Sequence, residues 1–230
     1  MNNTSYQLKE KLHCDQSTIG SWITIGSTVT TEIMARSGFD WLVVDMEHSV
    51  ITLDIAQELI RVIDLCDVSP LVRVGHNQPN LIKRVMDAGA HGVIVPMVNS
   101  KAEAEQAVQS VKYPPLGFRG VGLARAQKYG HGFEEYRSWN QEHSVVIVQV
   151  EHIEAVNHLE EILAVEGVDG FIVGPYDLSG SLGVPGQFDH PDVLQAMDTI
   201  QSVAQKTGAL SGYHVIQPQF DKYQNAVNQN

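Results

Sequence analysis

The sequence predicts an α/β protein, a (β/α)8 TIM-type barrel lacking its eighth β/α unit in this chain. Three observations predict it. Valine- and isoleucine-rich runs, each about one buried strand long, recur at residues 18–25, 41–47, 70–74, 92–98, 145–151, 170–174 and 209–216. Segments with apolar residues at helical spacing separate them. The runs do not alternate polar with apolar residues, as expected of a parallel sheet covered on both faces.

In chain order, the first run carries Trp22 near its end, and the second closes on Asp45, Glu47 and His48. Thr52 and Asp54 open a helix whose apolar face is Leu53, Ala56, Leu59, Ile60 and Ile63. The third run holds Arg73 and is followed by a helix that Pro79 and Asn80 open, with Leu81, Ile82, Val85 and Met86 on one face and Gly89 after its end. After the fourth run, a long irregular segment at 113–140 has the composition of a lid or interface element. The fifth run ends in Gln149 and Glu151, and the sixth leads into Pro175, Tyr176 and Asp177. Val193, Leu194, Met197, Ile200 and Val203 mark another helix, with Gly208 behind it; beyond the seventh run, 218–228 is expected as the seventh helix. No linker or low-complexity stretch divides residues 1–230, so a single domain is expected. An open doubly wound sheet is the alternative, but no GxGxxG or GxxxxGK[ST] loop follows any run.

Composition removes several functions. Fifteen lysines and arginines against 27 aspartates and glutamates give a net charge of −12, unsuited to gripping nucleic acid or an anionic membrane, while a few placed arginines still suit small anionic substrates. No apolar run approaches the roughly 20 residues of a membrane span, and MNNTSYQLKEKLHC lacks the order of a signal peptide, so a cytoplasmic location is expected. Cys14 and Cys66 read as ordinary thiols.

In a parallel barrel, catalytic groups collect where strands end, so polar residues that close apolar runs are the informative ones. Carboxylates ending buried strands are costly unless they meet a cation. Glu151 and Asp177 close consecutive strands and suit a hard divalent ion such as magnesium or manganese, with waters and a chelating substrate completing its shell; capping of the following helices is the alternative. Arg73, inside an apolar run, must pair with a fixed carboxylate or an anionic ligand. His48 is either a base or a hydrogen-bonded structural residue. Trp22 is read first as packing and second as a substrate wall. No run ends in a lysine, which argues against imine-forming aldolases.

The stretches WLVVDMEHS (41–49), LVRVGHNQPNLIKRVMDAGAHGVIVPMVNS (71–100), YPPLGFRGVGLARA (113–126), VQVE (148–151) and GPYDLSGSLG (174–183) resemble, in order and over about residues 18 to 217, the HpcH/HpaI aldolase family of metal-dependent pyruvate aldolases. The resemblance implies a divalent metal ion (Mg2+, Mn2+ or Co2+) held by Glu151 and Asp177, His48 as base, Arg73 at the enolate oxygen, and Asp87 raising the basicity of the histidine. Gln149, Tyr176 and Asp177 would border the oxo acid, with Tyr176 standing where the family commonly has a small residue; Trp22, from its place near the end of the first run, is the further candidate for lining it. The implied partners are a 2-oxo acid, an aldehyde and further copies of the chain, as a trimer or hexamer. Asp87 lies near the end of a helix that runs away from the site, so either a neighbouring subunit brings it to His48 or its role is structural. The implied activity is cleavage of a 4-hydroxy-2-oxo acid to pyruvate and an aldehyde. Alternatives are a citrate-lyase-like lyase and, because the eighth unit is missing, a catalytically impaired barrel serving in binding or assembly.

Overall fold

The structure, a computed structural model, describes residues 4–14 and 16–214. Seven strands form one parallel sheet in sequential order: β1 Gly20–Ile23, β2 Trp41–Asp45, β3 Ser69–Arg73, β4 Gly92–Val95, β5 Val145–Val150, β6 Gly170–Val173 and β7 Ser211–Gly212. The helices between them are α2 Thr28–Ala35, α3 Leu53–Leu65, α4 Pro79–Ala88, α5 Lys101–Val111, α6 Phe133–His143, the short α7 Ile153–Asn157 and α8 Leu159–Leu163, α9 Pro175–Ser181 and α10 Pro191–Thr207, with α1 Thr4–His13 ahead of the sheet. Residue Trp22 on the first strand and His214 beyond the last bring their rings within 5.6 Å, so the sheet is rolled until its two described edges face each other. This is the curvature of a TIM-type barrel. The helix expected at 218–228 lies outside the described residues, and with it the stretch that bears on the expected lack of an eighth unit.

Strand pairing fixes which residues face inward. Trp22 pairs with Val43, Val43 with Leu71 and Asp45 with Arg73, and each residue two positions along shares its face. Val43, Leu71, Ile94 and Val145 thereby fill the barrel interior. Leu8 of α1 completes that cluster from the amino-terminal end. The opposite strand faces carry Val44, Val72, Val93, Val95, Val146 and Val148 into a larger core, with Leu59 and Ile60 of α3 and Ile82, Val85 and Met86 of α4 packed upon them. Two glycines serve the geometry directly. Gly89 ends α4 at φ 107°, as the sequence anticipates, and a Cβ on Gly20 would lie 2.0 Å from the Trp41 ring.

Two expectations change. The segment 113–140 is not irregular throughout: a 3-10 turn spans Arg125–Gly130, kinked where Lys128 and Tyr129 take φ of 51° and 56°, and α6 follows. That helix buries Tyr136 and Trp139 but few other apolar residues, so it carries little helical periodicity. Among the described residues, the seventh run, expected over 209–216, pairs with β6 through Ser211 and Gly212, since apolar character does not report ladder length. Helices α7 and α8 are too short to leave a periodic pattern. Among the described residues no helix is long and apolar enough to cross a membrane.

Leu8 is 4% exposed and closes the barrel floor. Leu8→Ala should lower the unfolding free energy by about 2–4 kcal/mol in urea titration, whereas a change below about 0.5 kcal/mol would show that α1 does not seal the interior.

Candidate active site

Polar groups replace the apolar interior at the carboxyl ends of the strands. At the end of β2, Asp45 is 2% exposed and its Oδ1 accepts the N–H groups of Glu47 and His48, which folds the 45–48 turn over the barrel mouth. Arg73, its neighbour in register, donates to both Asp45 oxygens, Nε at 2.9 Å and Nη2 at 2.6 Å. The arginine expected to need an anion therefore has a fixed one, in a planar two-point pairing that also sets its rotamer. Its remaining arm, Nη1, lies 3.4 Å from Glu47 Oε2, and its guanidinium sits 4.5 Å above the Trp22 ring. Trp22 thus serves as the floor under Arg73, which joins the packing and site-lining readings.

Glu151 follows β5 and is 3% exposed. Its Oε1 accepts the Met97 N–H at 2.7 Å and its other oxygen accepts from the Gln149 amide. Gly174, at the end of β6, makes room for it, since a Cβ there would lie 2.8 Å from Glu151 Oε2. The turn that Gly174 begins carries Tyr176 and Asp177 in the exposed first turn of α9. Burial, and then the charges of Glu47 and Asp177, push the Glu151 carboxyl up to about 7, although the Met97 and Gln149 donors oppose the shift. Burial likewise raises Glu47, against the pull of Arg73 and His48.

These shifts define a shortage of positive charge: Glu47, Glu151 and Asp177 act on one another's charge, and among the described residues the guanidinium beside them, that of Arg73, is already held by Asp45. Two buried acceptors here, Glu47 Oε2 and Gln149 Oε1, receive no hydrogen bond among the described residues. Such a donor set, all oxygen and net negative, fits a hard divalent cation. Among the described residues no three His, Cys, Asp or Glu side chains form a ready-made metal cage, so two carboxylates with water or substrate oxygens are the fitting arrangement.

The other expected residues divide. His48 is at the mouth, largely exposed, with Nε2 3.8 Å from Glu47 Oε2. Tyr176 packs edge-on against Phe188 at 4.9 Å. Asp87 is not brought to His48 within the chain: it ends α4, away from the mouth, where Arg119 Nη2 holds its Oδ1 at 2.6 Å. Three residues at the mouth, Asp45, Glu47 and His214, were not among the expected site residues, and Asp45 enters as the partner that Arg73 was expected to need. Glu47 had the right signal, a carboxylate closing a strand beside His48. His214 would have had it if the seventh run had been ended at Gly212.

Comparison with known proteins gives the family and the fold. The family model for HpcH/HpaI aldolase/citrate lyase matches residues 18–227. A 5-keto-4-deoxy-D-glucarate aldolase of Escherichia coli O139:H28 is 38% identical over 215 residues, 92% of this chain and 84% of the relative. Among solved structures, an HpcH/HpaI aldolase/citrate lyase family protein from Burkholderia cenocepacia J2315 superposes with a TM-score of 0.89 at 32% identity, covering 97% of this chain and 89% of the other. The citrate synthase SbnG superposes with a TM-score of 0.84 at 29% identity, covering 97% and 86%.

The Glu151 carboxyl gives a stability test. Its folded value of about 7 stands above the ordinary 4.5, so its contribution to stability is full below pH 4.5 and is lost as the pH rises through 7. In chelator, the wild type should lose up to about 3 kcal/mol relative to Glu151→Gln across that window. Thermal unfolding of both proteins from pH 4.5 to 8 measures it, and a constant difference would contradict the shift.

Proposed function

The chain belongs to the HpcH/HpaI aldolase/citrate lyase family and is a carbon–carbon lyase, and on that premise we propose that it cleaves a 4-hydroxy-2-oxo acid to pyruvate and an aldehyde, or runs the reverse condensation. The observation that carries the reading is the crowding of Glu47, Glu151 and Asp177 beside one clamped guanidinium at the barrel mouth. Glu151 and Asp177 are the proposed ligands of a divalent cation, magnesium, manganese or cobalt. When bound, that cation supplies Lewis-acid charge to the oxo-acid group of the substrate. The E. coli relative's named substrate is a sugar diacid with this 4-hydroxy-2-oxo pattern.

Arg73 then has a defined task. Clamped by Asp45, it holds Nη1 toward the site, where negative charge develops on the 2-oxo oxygen as the C3–C4 bond breaks. His48 takes the proton of the 4-hydroxyl; the O–H electron pair forms the aldehyde carbonyl, and the C3–C4 pair becomes the enolate. A proton returned to C3 completes pyruvate. Gln149, Trp22 and the Tyr176 turn enclose the oxo acid and limit water. A second reading, citrate-forming or citrate-cleaving chemistry, draws on the likeness to SbnG and uses the same stabilised enolate.

We also propose a homo-oligomer, a trimer or hexamer. Val29 and Ile33 of α2 are 67% and 65% exposed, and Val121 and Leu123 are 56% and 71% exposed. A second copy covering these faces would protect apolar surface, and would bring Asp87 toward the His48 of a neighbour. Light scattering should give a mass of three or six chains; a monomer would refute the assembly. Mixing inactive His48→Ala and Asp87→Ala chains should restore activity if the site is shared.

Pyruvate release from a panel of 4-hydroxy-2-oxo acids, with acyl-thioester substrates for comparison, tests the reaction. Turnover should vanish in EDTA and return with manganese. Arg73→Ala should lower kcat/KM by about 100-fold or more. His48→Ala should lose cleavage by about 100-fold or more while retaining, within about tenfold, deuterium exchange at C3 of pyruvate. Equal loss of both would remove His48 from the hydroxyl.

A further inference from the structure

His214 stands two residues beyond Gly212, on the strand face that Gly212 shares with its partner Ile172, and so at the inner rim of the barrel. Its ring centroid is 5.6 Å from that of Trp22, tilted by 33°, and Trp22 lies under the Arg73 guanidinium at 4.5 Å. Imidazole, indole and guanidinium therefore make one continuous wall, drawn from the ends of β7, β1 and β3. Burial, and then the Arg73 charge, hold the imidazole below its ordinary pKa, which leaves a neutral ring with one N–H donor and one lone-pair acceptor at neutral pH. Among the described residues neither ring nitrogen has a hydrogen-bond partner. The ring is exposed at the rim, so it presents a donor and an acceptor to whatever occupies the mouth.

The position on the wall says which part of the ligand that is. On the proposed reading, a cation on Glu151 and Asp177 would take the carboxylate and Arg73 the oxo oxygen, which leaves the C3 side to meet the indole and His214. An alkyl wall would suit a bare methyl or ethyl group there. A neutral imidazole next to a guanidinium suits oxygen. We propose that His214 is a further substrate-binding residue, which hydrogen-bonds the C3 substituent of the 2-oxo acid and selects an oxygen-bearing group over an alkyl one.

This rests on the oxo-acid reading of the site, and the experiment separates the two. Hydroxypyruvate and 2-oxobutyrate differ at C3 only by a hydroxyl in place of a methyl. Their binding to the manganese-loaded full chain is measured by calorimetry for the wild type, His214→Leu and His214→Gln. The wild type should prefer hydroxypyruvate; His214→Leu should lower that preference about tenfold, and His214→Gln, which keeps a donor and an acceptor, should retain it within about threefold. Circular dichroism checks that both variants fold. A wild type without the preference, or a His214→Leu variant that keeps it, overturns the role of His214. Binding with the expected preference but without cleavage of any 4-hydroxy-2-oxo acid would instead remove the aldolase reading and leave the wall in place. A wild type that binds neither acid overturns both.

Discussion

Excess negative charge in a confined space is the constraint on which the barrel mouth depends. Asp45, Glu47, Glu151 and Asp177 converge at the strand ends, and among the described residues Arg73 is the guanidinium set among them. Asp45 takes two of its arms, and with those bonds and two backbone N–H donors it stays below the ordinary carboxylate range despite the burial that opposes it. Glu47 and Glu151 are left raised. A fold does not keep such groups buried for packing, because an apolar isostere would serve better. They are held at a cost that the proposed cation would remove.

The sheet supplies the precision. Parallel pairing places Asp45 against Arg73 in register, so the clamp follows from strand order and needs no loop to arrange it. Rolling the sheet brings the rim of β1 against that of β7, and the same curvature seats Trp22 under Arg73. Inward positions nearer the amino end are Val43, Leu71, Ile94 and Val145, sealed by Leu8. One set of inward-facing positions therefore reads apolar at one end and charged at the other. The chemistry has a dry floor and a wet mouth.

Much of this was legible because burial leaves a pattern. The strands β2 to β6 were visible as unbroken apolar runs, and α3, α4 and α10 as periodic faces with their end signals. Arg73 was legible as a charge that burial obliges to be paired. Its partner was not, because register, not sequence proximity, chooses Asp45. The turn at Lys128 and Tyr129 and the short α7 and α8 depend on local backbone conformation and tertiary packing, which leave no period. His214 escaped because an apolar run was read to its full length, across a ladder that ends at Gly212. Asp87 was recognised by resemblance alone, and its pairing with Arg119 shows why position along a chain does not fix a role: the end of α4 faces away from the mouth.

If the account is right, the mouth is incomplete without a cation. Calorimetric titration of manganese into the full chain at pH 8, where Glu151 is ionised, tests this most directly. The account predicts one saturable site per chain, weakened at least about tenfold in each of Glu151→Gln and Asp177→Asn with the fold retained by circular dichroism. A wild type that takes up no ion, or two variants that bind it as tightly as the wild type, would contradict it.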